Sequence, residues 1–263
     1  MSRKNRILLR ELVITDFKLR YQGSALGYAW SVLKPLFLFI ILYIVFEKFL
    51  RLGRDIEHFP VYLLLGIVLW QFFTEATAQG LQSIVSRGDL IRKINFPKYI
   101  IVISGTVSAL INLIINMGVV LIFCIINGVE LRTEAILLIP LLLELYVFAL
   151  AIAFFLAALN TKYRDSGYLW EIFLQAAFYA TPVLYPLQTV VSTMPEAARW
   201  LMLSPVAQIV QDIRYVLVTK QTITLHALVD GWRVGIPYVI IFVMLIAATY
   251  YFKKTQKYFA ELI

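Results

Sequence analysis

Six stretches of this chain, 35–52, 60–80, 99–126, 136–159, 168–186 and 234–252, are continuous apolar runs. Each is long enough to cross most or all of a hydrocarbon core of roughly 30 Å. Such runs fold as helices, because in lipid each backbone amide needs a partner within its own segment. With 61% hydrophobic and 15% charged residues, the chain lies far above the roughly 45–50% apolar content of soluble domains. The sequence therefore reads as an all-α integral membrane protein with six transmembrane helices. The first and fifth runs are the shortest, and the fifth carries Pro182 and Pro186, which break or end it near the far surface.

Charge sets the expected orientation. Sixteen of the 24 lysines and arginines fall on one side if the amino terminus is inside, so the positive-inside rule places both termini in the cytoplasm. The net charge of +8 is thereby explained by topology and lipid head groups, not by nucleic acid. Residues 1–34 interleave seven basic side chains with Ile7, Leu8, Leu12, Val13, Phe17 and Leu19, the composition of a helix lying in the membrane interface. The expected division is an interfacial amphipathic segment at 1–34, a transmembrane domain at 35–255 and a cytoplasmic tail at 256–263. No small-residue cleavage pattern follows the first run, so that span is expected to be retained. No internal repeat is visible, and any two-fold symmetry would come from a second copy of the chain.

Between the second and third runs lies a basic insert, SIVSRGDLIRKINFPK at 83–98. Gly88 suits a left-handed cap, Asp89 accepts the first free amides of a new helix, and Pro97 stops Phe96 from staying helical. A short helical foot over 90–94 follows, with Leu90, Ile91 and Ile94 on one side and Arg92 and Lys93 on another. A solvated loop held at anionic head groups explains the same residues equally well. On the opposite side, Pro195 and Pro205 follow hydroxyl residues and read as helix starts. After Pro205, the residues Val206, Ile209, Val210, Ile213 and Leu217 keep helical spacing against Gln208, Gln211, Asp212 and Arg214. Two short helices forming a lid, or an amphipathic helix packed on the bundle, both fit.

Catalytic constellations are not evident. His58 and His226 have no partner at metal or general-base spacing, there is no phosphate-binding loop, and Cys124 is the single cysteine. Nucleotide and its magnesium would therefore bind to another subunit, with no cofactor on this chain. Polar residues inside the spans carry more information, since each is costly unless it faces protein or water. Ser104, Ser108, Asn112 and Asn116 recur every fourth residue, a seam that more often joins helices than lines a path. Candidate channel-lining residues are the stripe Phe39, Tyr43 and Phe46 on the first span, Glu144 and Phe148 on the fourth, and Glu171, Gln175 and Phe178 on the fifth. Lipid contact or helix packing accounts for aromatic stripes more often than sugar stacking does.

Four stretches together resemble the permease subunits of ABC-2-type polysaccharide exporters, which move O-antigen, capsule and teichoic acid chains. They are LVITDFKLRYQGSALGYAWSVLKPL at 12–36, LIRKINFPK at 90–98, LNTKYRD at 159–165 and YATPVLYP at 179–186. Asp16, Lys18, Arg20 and Tyr21 stand where the amino-terminal signature has them. Ser204 precedes Pro205 where family members commonly show asparagine. The resemblance implies a homodimer in the cytoplasmic membrane, with two copies of a cytoplasmic ATPase and a lipid-linked polysaccharide as cargo. It also implies that Asp89, Leu90, Ile91, Arg92, Lys93 and Ile94 form a coupling helix, assisted by Arg164 and Asp165, and that Pro182, Pro186 and Pro205 shape extracytoplasmic gate helices. Export of a small drug or lipid by a related permease, and a stand-alone membrane enzyme or scramblase, remain the alternatives.

Overall fold

The computed structural model describes residues 3–21, 23–51, 53, 56–130 and 132–262. The side chains of Arg20 and Tyr21 lie outside the described residues, although the helix backbone that carries them is included. Among the described residues the fold is entirely helical. Helix α1 spans Arg3–Tyr21 and lies along α5. Its basic residues Arg3, Lys4, Arg6, Arg10 and Lys18 are exposed and Leu8, Leu9, Leu12 and Val13 half-buried, the two sides of an amphipathic helix. The remaining helices are α2 Trp30–Tyr43, α3 Phe59–Ser83, α4 Gly88–Lys93, α5 Tyr99–Ile126, α6 Leu138–Lys162, α7 Ser166–Ala180, α8 Leu187–Thr193, α9 Pro195–Met202, α10 Pro205–Leu217, α11 Leu225–Leu228, α12 Ile236–Thr255 and α13 Phe259–Leu262.

Among the described residues, five helical stretches are long and apolar enough to cross a membrane: Gly27–Phe49, Phe59–Ser83, Tyr99–Ile126, Thr133–Lys162 and Gly231–Tyr258. The sixth expected run, 168–186, instead holds α7, whose 15 residues reach only about 22 Å at 1.5 Å per residue. Pro182 is the reason: the residue before a proline is driven from helical into extended geometry, and Thr181 sits at φ −81°, ψ 139°. The chain then turns back through α8 and α9, which pack on each other.

Helix α3 is the hub, touching α2, α5, α6, α7 and α10. Every residue from Val61 to Trp70 is buried, so this segment is apolar on all sides, as a helix in the middle of a bundle must be. Its approach to α6 is set by small residues. A Cβ on Gly80 would lie 2.3 Å from the Ala153 Cβ and 2.7 Å from its Cα, a contact only glycine permits at that distance.

Three of the four members of the polar seam of α5 join helices, each in its own way, while the buried Ser108 hydroxyl has no hydrogen-bond partner among the described residues. Pro35 lies inside α2 and has no N–H to give the Ser31 carbonyl four residues earlier. Asn116 supplies the missing donor, Nδ2 to Ser31 O at 3.0 Å. Asn112 donates to Glu75 at 2.8 Å, and Ser104 joins a charged cluster described below.

Candidate functional site

The foot forms at one end of the bundle. Helix α4 runs Gly88–Lys93, with Asp89 in its first turn and Arg92 and Lys93 in its last, the arrangement the helix dipole favours. Two local expectations change. Gly88 is right-handed, at φ −52°, ψ −44°, and begins α4 instead of capping the preceding segment; Arg87, at φ −120°, ψ 29°, makes the turn. Ile94 is extended and already outside the helix. Asp89, Arg92, Lys93 and Ile94 are exposed and Leu90 half-buried, whereas Ile91 is buried in a cluster with Ile84, Ile101 and Phe259. Ile91 thus seats the foot on the protein's own carboxy-terminal helix, and the free face belongs to its neighbours. Arg164 and Asp165 are exposed in the α6–α7 turn. Arg164 reaches the Leu262 carbonyl on α13 at 3.5 Å, and α13 also packs on α4, so all these residues share one end of the molecule.

Arg87, which the sequence did not single out, ties the foot to the interfacial helix. Its guanidinium is ion-paired with Asp16 on α1 and donates to Ser104 Oγ at 3.0 Å. The Ser104 hydroxyl lies 3.3 Å from the other Asp16 oxygen. Both charged side chains are only 20% exposed. Reversing either charge alone is expected to destabilise the protein by about 2 kcal/mol, the scale of a charged hydrogen bond lost with its partner left behind. The double exchange Asp16→Arg with Arg87→Asp should recover most of that loss in a thermal unfolding series. A double variant no better than the singles would remove the latch.

At the other end, α10 is buried on its polar side as well as its apolar one. Gln208, Gln211 and Arg214 are each 0% exposed, and the helix packs on α3, α6 and α12. Pro195 and Pro205 do occupy the first helical positions of α9 and α10, but the preceding Met194 and Ser204 make no side-chain capping bond. Arg214 is the centre of this region. Its Nη1 and Nη2 donate to the carbonyls of Pro182 and Val183 at 2.5 and 2.6 Å, its Nε donates to the Tyr62 carbonyl at 3.1 Å, and the guanidinium lies 3.6 Å from the Tyr62 ring centroid. Pro182 and Val183 lie in the turn after α7, outside any helix, so their carbonyls have no helical partners. The last carbonyls of α7, Tyr179 and Ala180, instead accept from the Tyr185 hydroxyl at 3.2 and 3.0 Å. Gly66 leaves the space: a Cβ there would stand 2.3 Å from Arg214 Nη2 and 2.8 Å from the Val183 oxygen. Burial pushes the nearby Asp212 carboxyl up, and Gln208, donating to it at 2.6 Å, holds it down in part. Pro182, Pro186 and Pro205 are all buried in this region.

Of the eight residues read as channel-lining, only some come together. Phe39 packs edge-on against Phe123 and beside Tyr43, and Phe46 lies at the margin of the core; this stripe joins α2 to α5. Glu144 faces α10, beside Gln208 and Asp212. Phe148 stacks on Phe73 with ring centroids 5.8 Å apart. Phe178 packs against Trp70 at 5.7 Å. Glu171 and Gln175 point outward, exposed on α7. Between α3, α6 and α7 there is a cavity of about 430 Å³, lined by Trp70, Phe73, Phe148, Phe155, Trp170 and Phe173 among others. Thr77 accepts the Trp170 indole N–H at 3.1 Å, so that ring is fixed while its faces stay apolar.

Along α3, Tyr62 at the Arg214 end and Ser83 beside the foot are separated by about 31 Å at 1.5 Å per residue, the thickness of a hydrocarbon core. Long apolar helices, a short helix ended by proline and a basic foot across the bundle from a buried polar staple define a multi-pass membrane protein of transporter type. The chain belongs to the ABC-2 type transporter family, whose profile matches residues 8–218. It is 30% identical over 259 residues to the O-antigen export system permease protein RfbA of Myxococcus xanthus, covering 97% of this chain and 95% of that one. It is 25% identical over 256 residues to a Klebsiella pneumoniae protein of the same name, covering 96% and 94%.

Proposed function

We propose that this chain is the transmembrane subunit of an ATP-driven exporter that carries a lipid-linked polysaccharide across the cytoplasmic membrane. The observation that carries this reading is similarity over nearly the full length to permeases named for O-antigen export. In this reading two copies form the membrane unit, and each foot docks on a cytoplasmic ATPase subunit that binds ATP and magnesium. Both termini and the foot lie in the cytoplasm, where the excess of lysine and arginine places them. The homodimer accounts for α7: its outward side carries Glu171 and Gln175, polar side chains that are costly against lipid, so they face a second copy or an aqueous path between copies. ATPase closure displaces α4, and the Asp16–Arg87 latch and the α13 seat carry that displacement into α1 and α6 as rigid elements.

Deletion of the gene tests the cargo. Lipid-linked glycan should accumulate on the cytoplasmic side while the surface glycan disappears, and the wild-type protein should co-purify with an ATPase. Drug sensitivity with an intact surface glycan would instead assign a small-molecule cargo, and activity in ATP-free vesicles would point to a scramblase.

A further inference from the structure

A second cavity, of about 510 Å³, opens between the start of α2, α3 and α5, within the range of ligand sites at roughly 300–1,000 Å³. Its chemistry differs from that of the aromatic cavity. Trp30 stands on one side, and Thr74, Glu75, Gln79 and Asn112 face it across the lining, with Lys34 also present. The network behind these groups is organised. Glu75 Oε1 accepts from Asn112 Nδ2 at 2.8 Å and from Gln79 Nε2 at 2.9 Å. The Trp30 indole N–H is held by Ser24 Oγ at 3.1 Å, yet the residue remains 41% exposed. Behind the lining, Asn112 Oδ1, on a residue 5% exposed, and Thr74 Oγ1 are closed off from solvent and have no protein partner among the described residues. Buried polar atoms left without partners are destabilising, and an ionisable side chain within a spanning helix, here Glu75, marks a functional site by default.

We propose that this cavity is a glycosyl-binding station on the export path. Trp30 presents an aromatic face to the C–H side of a sugar ring, and Glu75 and Gln79 on the lining exchange hydrogen bonds with its hydroxyls. The lining favours a neutral polyhydroxyl ring over an anion, because its two charged side chains, Lys34 and Glu75, are of opposite sign. Glu75 and Gln79 sit one to two turns from the foot end of α3, so the station lies on the side from which the lipid-linked chain arrives. This inference rests on the proposed export of a glycan and names where the sugar is held.

The test uses the exporter in its own cells. Cys124 is buried and is the only cysteine, so Cys124→Ala with Ala78→Cys leaves one thiol on the cavity lining. Its reaction with N-ethylmaleimide should be several-fold slower in cells that make the lipid-linked glycan than in cells lacking the first glycosyltransferase. An Ile94→Cys thiol on the foot serves as reference and should react alike in both. Adding Glu75→Gln should abolish the protection at Ala78→Cys and lower export by about tenfold, the scale of one lost charged hydrogen bond. Trp30→Ala should behave the same way and Trp30→Phe should retain protection. Equal labelling with and without glycan, in cells whose surface glycan depends on this chain, overturns the station alone. Protection that survives Glu75→Gln while export falls makes Glu75 structural and overturns its assigned role. A surface glycan independent of the chain overturns the export reading and the station with it.

Discussion

Arg214→Leu is expected to lower the unfolding midpoint of the purified protein by about 6–12 °C, the shift that about 3 kcal/mol produces in a domain of this size. The figure follows from what the guanidinium holds. It satisfies the Tyr62, Pro182 and Val183 carbonyls, and a buried polar group left unpaired costs about 1–3 kcal/mol; the lower end is the fair choice because the variant also removes a buried charge. Arg214→Lys should recover little, since an ammonium on a flexible stem lacks the planar fork that reaches three acceptors at once. Gly66→Val should reproduce the defect from the opposite wall, by displacing the guanidinium and crowding the Val183 oxygen. Export should fall in step, because α10 and the turn after α7 would no longer be held to α3. An unchanged midpoint in Arg214→Leu would mean that water or backbone movement replaces the staple.

The double reversal Arg92→Glu with Lys93→Glu is expected to leave the membrane protein folded and to abolish export. Both side chains are exposed, so the fold loses little, and a reversed charge at a complementary interface weakens binding by about 2–5 kcal/mol, or roughly thirtyfold or more. The measurements are co-purification with the ATPase and surface glycan, set against an unchanged unfolding midpoint. Ile91→Asp should behave differently. Its side chain is 4% exposed in an apolar cluster with Phe259, and an unpaired buried charge destabilises the protein itself. Normal export by the double reversal would take the foot out of the mechanism.

The contrast between these neighbours marks how far the sequence reaches. The foot was legible as one of two readings, a short helix or a head-group loop, because its signals are local: a basic insert between two apolar runs, closed by Pro97. Which of its apolar residues faces outward was not, because α13 comes from the far end of the chain to cover Ile91. The same holds for α10. Its helical spacing and initial proline were readable, but its polar face looked like a surface and is buried, since the partners of Arg214 are carbonyls on α3 and beyond α7, 152 and 31–32 residues away. Glu75 carried a readable warning, a lone carboxylate within an apolar run. The eight channel candidates were chosen by periodicity, which gives a helix a face without naming its neighbour, and they separate into α2–α5 packing, the aromatic cavity, the α10 contact and the outward side of α7.

The sequence by itself determined that the chain is a bundle of membrane-crossing helices with an amphipathic amino-terminal segment, a basic insert and a proline-broken run. Hydrophobic length, charge placement and proline stereochemistry act within a single segment and need no partner. Only the tertiary structure decided that the broken run is a half-length helix whose following turn is held by Arg214, that Arg87 locks the foot to Asp16, and that Trp30, Glu75 and Asn112 line one cavity. Each of these joins groups distant in the chain, and in a medium without water a polar atom is stabilised by whichever partner the packing brings to it.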